Sequence, residues 1–466
     1  MVIENNNIIG GNLTDQALIK FLKFNKAYNK TITEKKVFDS KDKYSYIKVD
    51  NCYYYKGAFE SIINKCINVN KTSIINDINK LSNQGYRILA VAKSQDNINL
   101  EYLGYITLKD NIRKETTSCI DELINSNIKV IMITGDALST AKVIAKECHI
   151  LNNFGDICID SKSFNNMSDD EIKSQIDHIK VIARALPSDK SRLVTILKDM
   201  NKVVGMTGDG VNDAPALKKA NVGFSMGSGS EVAKEASDIV ILDNNISSIC
   251  KAILYGRTAF KSIRKFVVYQ LTVNFTALFL SFIGSPITII QMLWLNMIMD
   301  TFAGLAFSFE APLKYYMKDK VKDINENIIN TYMYTQIIFT GLYSAIICTL
   351  FLKLDIFKTL IRSDNKYFMT AYFALFIFIG ICNSFNARCE RLNIFSNILK
   401  NKMFIFINIF IITMQIIIIY YGNNLFKTYG LLPKELLFVI LLSLTVIPID
   451  LIRKIILIKK GIRLEI

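Results

Sequence analysis

The string Met206-Thr207-Gly208-Asp209-Gly210-Val211-Asn212-Asp213-Ala214-Pro215-Ala216-Leu217 follows a β-branched run and leads into a helix-forming stretch. Its glycines permit a tight turn, and Asp209 and Asp213 bring two carboxylates to the strand tip. Paired oxygens at such a tip suit a hard cation such as Mg2+, which neutralises charge while a phosphoryl group is transferred. Upstream, Ile133-Thr134-Gly135-Asp136 ends another strand, where a hydroxyl and a turn of backbone can hold a phosphoryl oxygen with neutral donors. Between the two, Ala183-Arg184-Ala185-Leu186-Pro187-Ser188-Asp189-Lys190 presents a lysine at a helix start, where it would offset developing charge. Taken singly, the Thr-Gly-Asp turn and the lysine are ordinary surface features.

A second group of oxygens lies further along the chain. Between Lys265 and Glu310 run 44 residues with one charged member, Asp300. A carboxylate inside an apolar stretch is costly, and an ion or a partner is its usual justification. Asn296 precedes it by four residues, on the same face of an α-helix, and Asn274 adds an oxygen from the preceding apolar stretch. Carboxylate plus amide oxygens suits Ca2+.

These residues need elements to position them. Strand-like runs such as 129–133, 181–183 and 203–206 alternate with amphipathic helices such as 138–148 and 189–200. That rhythm predicts a parallel doubly wound sheet, which binds ligands at the carboxyl ends of its strands. The first 103 residues follow a different rhythm and read as a separate α+β domain. The 44-residue interval has room for two membrane spans, and four more apolar stretches follow at 332–352, 367–385, 403–421 and 436–451. The basic run 258–265 leads straight into the first, so one continuous helix is expected to join the soluble and membrane parts. With the N-terminal half cytoplasmic, the inner loops and tail carry 13 Lys/Arg and the outer loops 6, in line with the positive-inside bias. No lysine falls within these stretches, and Asp450 is expected at an interface.

The whole composition fits this division. The 466 residues carry a net charge of +15 and are 51% hydrophobic, with only 6 prolines, which excludes a purely soluble, disordered or collagen-like chain. No Lys/Arg cluster alternates with aromatics, so the charge reads as basic loops and no nucleic-acid partner is expected. Nine cysteines without a Cys-x-x-Cys pair are expected as reduced thiols.

Thr134-Gly135-Asp136, Lys190 and the 207–217 string resemble, in order, the later motifs of the haloacid-dehalogenase type phosphorylation domain of P-type cation ATPases. The stretch Gly11-Asn12-Leu13-Thr14-Asp15-Gln16-Ala17-Leu18, with Phe38, Lys43 and Lys56-Gly57-Ala58, resembles their nucleotide-binding domain. The resemblance implies that Phe38 stacks on adenine, that Lys56 borders the adenine pocket, and that Arg87 reaches the phosphates. It also assigns Asp15, Lys43, Gly57, Arg113 and Arg184 to ATP binding. Catalytic roles follow for Thr134, Gly135, Asp136, Lys190, Asp209, Asn212 and Asp213, with Mg2+ on Asp209. Asp110-Asn111-Ile112-Arg113 stands where the family has Asp-Pro-x-Arg, so the linker there is expected to be looser. Gln291 to Thr301 resembles the sixth span of calcium pumps, most nearly the plasma-membrane calmodulin-regulated type, and makes Asn274, Asn296 and Asp300 the implied Ca2+ ligands. Ala277 and Met299 replace oxygen-bearing residues of two-calcium pumps, so one calcium site is expected.

By this comparison the chain is the C-terminal half of a pump. The expected parts are a partial α+β nucleotide-binding domain (1–103), an incomplete haloacid-dehalogenase-like doubly wound parallel sheet (104–245), a stalk helix (246–265) and six transmembrane helices (266–466). The sequence contains no Asp-Lys-Thr-Gly-Thr string, which carries the phosphorylated aspartate in such pumps, and no Thr-Gly-Glu-Ser. The isolated chain is therefore expected neither to transport ions nor to form a phosphoenzyme, and its sheet is expected to show an unpaired edge. The implied partners are membrane lipid, ATP, Ca2+ and an N-terminal half bearing the phosphorylation motif. Two alternatives stand beside a calcium pump: a non-catalytic nucleotide- and cation-binding membrane remnant or split-pump subunit, and a pump for another cation.

Overall fold

A computed structural model describes residues 2–465, except 5–6, 10–12, 23–29, 40–41, 68, 110–111 and 363. Gly11, Asn12, Asp110 and Asn111 thus lie outside the described residues. The chain divides into two compact units, 1–120 with 130–196 and 121–129 with 197–466.

The first unit begins with a short antiparallel pair, β1 (Val2–Glu4) and β2 (Asn7–Ile9). A six-stranded sheet follows, built from β3 (Ile32–Lys36), β4 (Tyr44–Val49), β5 (Cys52–Ala58), β6 (Cys66–Ile67), β7 (Arg87–Ser94) and β8 (Leu100–Leu108), in the order β3-β4-β5-β7-β8-β6. The β4–β5 hairpin closes through Asp50 and Asn51, both at positive φ, the geometry that matches strand twist in a two-residue turn. Tyr53, Tyr55, Phe59, Ile62, Ala90 and Ala92 form the core of this part. The same unit holds a parallel sheet of β9 (Met132–Ile133), β10 (Ile157–Asp160) and β11 (Ile179–Ala183), in the order β10-β11-β9. The helix Leu138–Glu147 buries Ala141 and Ala145 against Val181 and Ala183 of β11.

The second unit contains another parallel sheet, β12 (Gly205–Gly208), β13 (Val222–Met226) and β14 (Ile239–Ile241), in that order. The sequence predicted one doubly wound sheet. The strands are parallel as expected, but they form two three-stranded sheets, with β9 and β12 each at an end of its own sheet. Among the described residues, each leaves one edge of N–H and C=O groups without a ladder partner.

Beyond β14 the chain enters a 36-residue helix, Ser247–Phe282, which runs unbroken from the basic run into the first span, as expected. At 1.5 Å per residue it is about 54 Å long. Six helical segments are long and apolar enough to cross a membrane: Ser247–Phe282, Ile289–Ser308, Thr331–Lys353, Asn365–Arg388, Lys402–Tyr421 and Pro433–Lys459. The fourth is buried on nearly every side and forms the centre of the bundle.

Ionic groups are built into the span ends. Lys265 donates to Glu310 at 2.8 Å with both side chains buried, and Arg388 lies 3.6 Å from the same carboxylate. Lys261 meets Glu390 at 3.0 Å and Asp319 at 3.2 Å. Asp450, expected near an interface, is fully buried within the protein and pairs with Arg453 at 2.7 Å and Lys454 at 2.9 Å. The last span continues eight residues past the apolar stretch, so the i+3 and i+4 positions supply the countercharges from within the helix. Cys52, Cys66, Cys148, Cys158, Cys348, Cys382 and Cys389 are free thiols.

Candidate functional site

In the first unit, the carboxyl ends of β9 and β11 carry the Thr-Gly-Asp turn. Ala185 N–H donates to the Thr134 carbonyl and Arg184 N–H to the Asp136 carbonyl, each at 2.9 Å, which ties the two strand-end loops together. The Thr134 hydroxyl donates to Asp136 Oδ2 at 3.1 Å, and Asp136 N–H donates back to Thr134 Oγ1 at 3.2 Å. Gly135 is exposed at the tip, with space around its Cα.

Lys190 stands in the first turn of the helix Pro187–Asp199. The residue before it, Asp189, is completely buried. Its carboxylate accepts from Leu186 N–H at 2.8 Å, Ser161 Oγ at 2.6 Å and Asn165 Nδ2 at 2.8 Å. These three donors satisfy a buried charge and fix the start of the lysine helix against Ser161–Asn166. The sequence reading passed over Asp189, since two of its three partners lie more than twenty residues away.

The residues of the nucleotide-binding resemblance lie in the same unit, and several meet this turn. A Cβ on Gly57 would stand 2.5 Å from the Lys43 carbonyl and 2.6 Å from Tyr44 Cα, so only glycine lets β5 approach Lys43 so closely. Lys43 itself adopts positive φ, and Ala58 N–H donates to its carbonyl at 2.8 Å. Burial and the Arg184 charge hold the Lys43 amine below its ordinary value, partly opposed by Glu60. Arg184 Nη2 donates to Glu60 Oε1 at 2.8 Å, and Arg87 Nε lies 4.0 Å from Asp136 Oδ1. Lys56 is paired with Asp15. Phe38 is about half exposed in the loop after β3, and Arg113 is exposed. Lys43, Arg87, Arg184, Glu60 and Asp136 are thus brought together.

In the second unit, Asp209 and Asp213 differ in environment. Asp213 is buried, and its Oδ2 accepts from the backbone amides of Asp209 and Gly210, each at 3.2 Å. A Cβ on Gly208 would lie 2.4 Å from the Asp213 Cβ, so glycine makes room for this strut. Asp213 shapes the loop, and Asp209 and Asn212 are exposed on it. Among the described residues no group of three or more His, Cys, Asp or Glu is clustered as a metal site. A single exposed carboxylate at a strand tip nonetheless fits Mg2+, which keeps several waters and takes one or two carboxylates.

Asp300 lies deep in the bundle. It is buried, and its Oδ1 has no hydrogen-bond partner. Tyr269 of the first span is within electrostatic reach of it. The segment Trp294–Met299 just before it is a π-helix, a rare form frequent at functional sites. Asn296 lies in this segment and is exposed, as is Asn274 on the first span. Neither amide hydrogen-bonds to Asp300 among the described residues.

Glycine- and aspartate-bearing turns at the ends of parallel strands, together with six membrane-length helices and a buried acid, are the features of a multi-pass membrane protein with a haloacid-dehalogenase-like part. The chain belongs to the cation-transporting P-type ATPases. Residues 284–456 match the family described as "Cation transporting ATPase, C-terminus", and residues 29–221 and 190–253 match haloacid dehalogenase-like hydrolases. Its relatives include "Probable calcium-transporting ATPase 6, plasma membrane-type" of Oryza sativa subsp. japonica, 34% identical over 81% of this chain and 40% of that protein. "Calcium-transporting ATPase PAT1" of Dictyostelium discoideum is 33% identical over 86% of this chain and 42% of that protein. "Calcium-transporting ATPase 2" of Schizosaccharomyces pombe is 38% identical over 70% of this chain and 26% of that protein. The chain therefore spans less than half the length of these relatives.

Proposed function

We propose that the chain supplies the nucleotide-holding and cation-holding machinery of an ATP-driven Ca2+ pump, with its N-terminal half cytoplasmic. The observation that carries this reading is Asp300: a buried carboxylate oxygen without a donor, in an otherwise uncharged interval of two spans. An unpaired buried anion is costly, and a divalent cargo ion would satisfy it. Asn296 and Asn274 would complete the oxygen set as the site closes around the ion. The names of the relatives, all calcium-transporting, support Ca2+ over another cation.

On the cytoplasmic side, Phe38 would stack on adenine, and Lys43, Lys56, Arg87 and Arg184 would neutralise the triphosphate. The Thr134 hydroxyl and the amides of its turn would hold the transferred phosphoryl group, and Lys190 would offset its charge. In the second unit, Asp209 would hold Mg2+, which supplies charge neutralisation in phosphoryl chemistry. The 466 residues hold no Asp-Lys-Thr-Gly-Thr nucleophile, so we assign that group to residues outside them. The unpaired edges of β9 and β12 support a further strand reaching this fold.

The test is 45Ca2+ uptake into vesicles carrying the chain together with the polypeptide that supplies the nucleophile. Asp300→Asn is expected to abolish ATP-dependent uptake while the protein still inserts. Undiminished uptake would remove Asp300 from the ion path.

A further inference from the structure

Arg184 is a strained residue in an over-determined position. Its φ of 52° lies in the left-handed region, where arginine is uncommon. The backbone is held there by the bond from Arg184 N–H to the Asp136 carbonyl and by its neighbour's bond from Ala185 N–H to the Thr134 carbonyl. Strain maintained in this way clusters at ligand clamps and switches. The guanidinium meets one acid, Glu60, at 2.8 Å.

Glu60 sits just beyond the Lys56-Gly57-Ala58 stretch, in the first turn of the short helix Phe59–Ile63. Lys43 stands at the start of the same helix, since its carbonyl accepts from Ala58 N–H at 2.8 Å, and its amine feels both the Arg184 charge and the opposing Glu60 charge. One carboxylate, itself mostly exposed, thus stands against two partly buried cations. Two cations converging on one small space make an anion site, and the anion that fills it is a side chain of the chain itself.

We propose that Glu60 is an internal stand-in for nucleotide phosphate, which ATP must displace from Arg184 and Lys43 in order to bind. The inference rests on the nucleotide reading above and deepens it by naming a residue that sets affinity from within the site. Glu60 closes the cation pair when nucleotide is absent, and its carboxylate repels the phosphates as they enter. An exposed ion pair is a weak lock, so the control is a matter of small factors.

The test uses the full chain in detergent with Mg2+, measuring ATP by displacement of a fluorescent trinitrophenyl nucleotide, with adenosine in parallel. Glu60→Gln keeps the shape and removes the charge at a mostly exposed position. It is expected to tighten ATP binding about two- to fivefold, the range of an exposed ion pair. Adenosine, lacking phosphate, is expected to bind both forms equally. Arg184→Gln is expected to weaken ATP binding, and Glu60→Gln added to it is expected to tighten binding by a smaller factor than in the unmodified chain, because only Lys43 remains to be released. Unchanged or weaker ATP binding by Glu60→Gln would make the pair a structural clasp and overturn the proposal. Equal tightening for adenosine would overturn it too. No ATP binding by the unmodified chain or any variant would overturn the nucleotide reading, and this inference with it.

Discussion

At the residue scale, function rests on a few side chains whose neighbours are as specific as they are. Asp213 and Asp209 look equivalent in sequence, yet one braces the loop from inside and the other faces outward. Gly208 makes this possible, and Gly208→Ala would drive a methyl group into the Asp213 side chain. That overpacking should cost about 1–3 kcal/mol, read as a lowered unfolding midpoint in denaturant. Lys43 yields a pH prediction. Its amine is held below the ordinary 10.5 by burial and then by Arg184. Between that lowered value and 10.5 the unfolded chain binds more protons than the folded one, so this residue's effect on stability becomes more favourable as pH rises. ATP binding runs the other way, because phosphates need the cation. Affinity should fall as pH rises through the lowered value, and Lys43→Arg should flatten that alkaline limb in a binding titration from about pH 7 to about pH 10.

At the element scale, local patterns were legible and distant pairings were not. The 206–217 loop, the long helix into the first span and the six apolar segments follow from neighbouring residues, and the structure has each of them. The parallel strands were legible as well, but their division into two sheets depends on long-range pairing. The burial of Asp450 was not read because its countercharges, Arg453 and Lys454, lie one turn later in the same helix, past the apolar stretch that ends at 451. The i+3 and i+4 spacing was the available signal. Glu60 and Asp189 escaped because their partners lie 124 and up to 28 residues away. The span-end ion pairs carry their own prediction. Glu310 is buried between Lys265 and Arg388, so Glu310→Gln strands two buried cations. The loss should be about 3–5 kcal/mol, read as a lowered thermal midpoint of the detergent-solubilised chain.

At the scale of the whole molecule, two chemistries share one chain. Turns proposed to hold phosphate stand at strand ends, and Asp300, a buried acid whose Oδ1 has no hydrogen-bond partner among the described residues, stands among membrane-length helices. In the second unit, the unbroken helix Ser247–Phe282 follows directly from the Asp209-bearing sheet region and carries Asn274. A helix of that length would be a physical means of transmitting movement between that loop and the proposed ion site. We propose a pump portion that binds nucleotide and ion and draws its nucleophile from residues outside the chain. The most direct measurement is acid-quenched phosphorylation with γ-32P-ATP, with and without Ca2+. The chain alone should show no hydroxylamine-sensitive band. With a polypeptide bearing the Asp-Lys-Thr-Gly-Thr string, a Ca2+-dependent band should appear on that polypeptide, and Asp300→Asn should remove its Ca2+ dependence. A hydroxylamine-sensitive band on the chain itself would contradict the account.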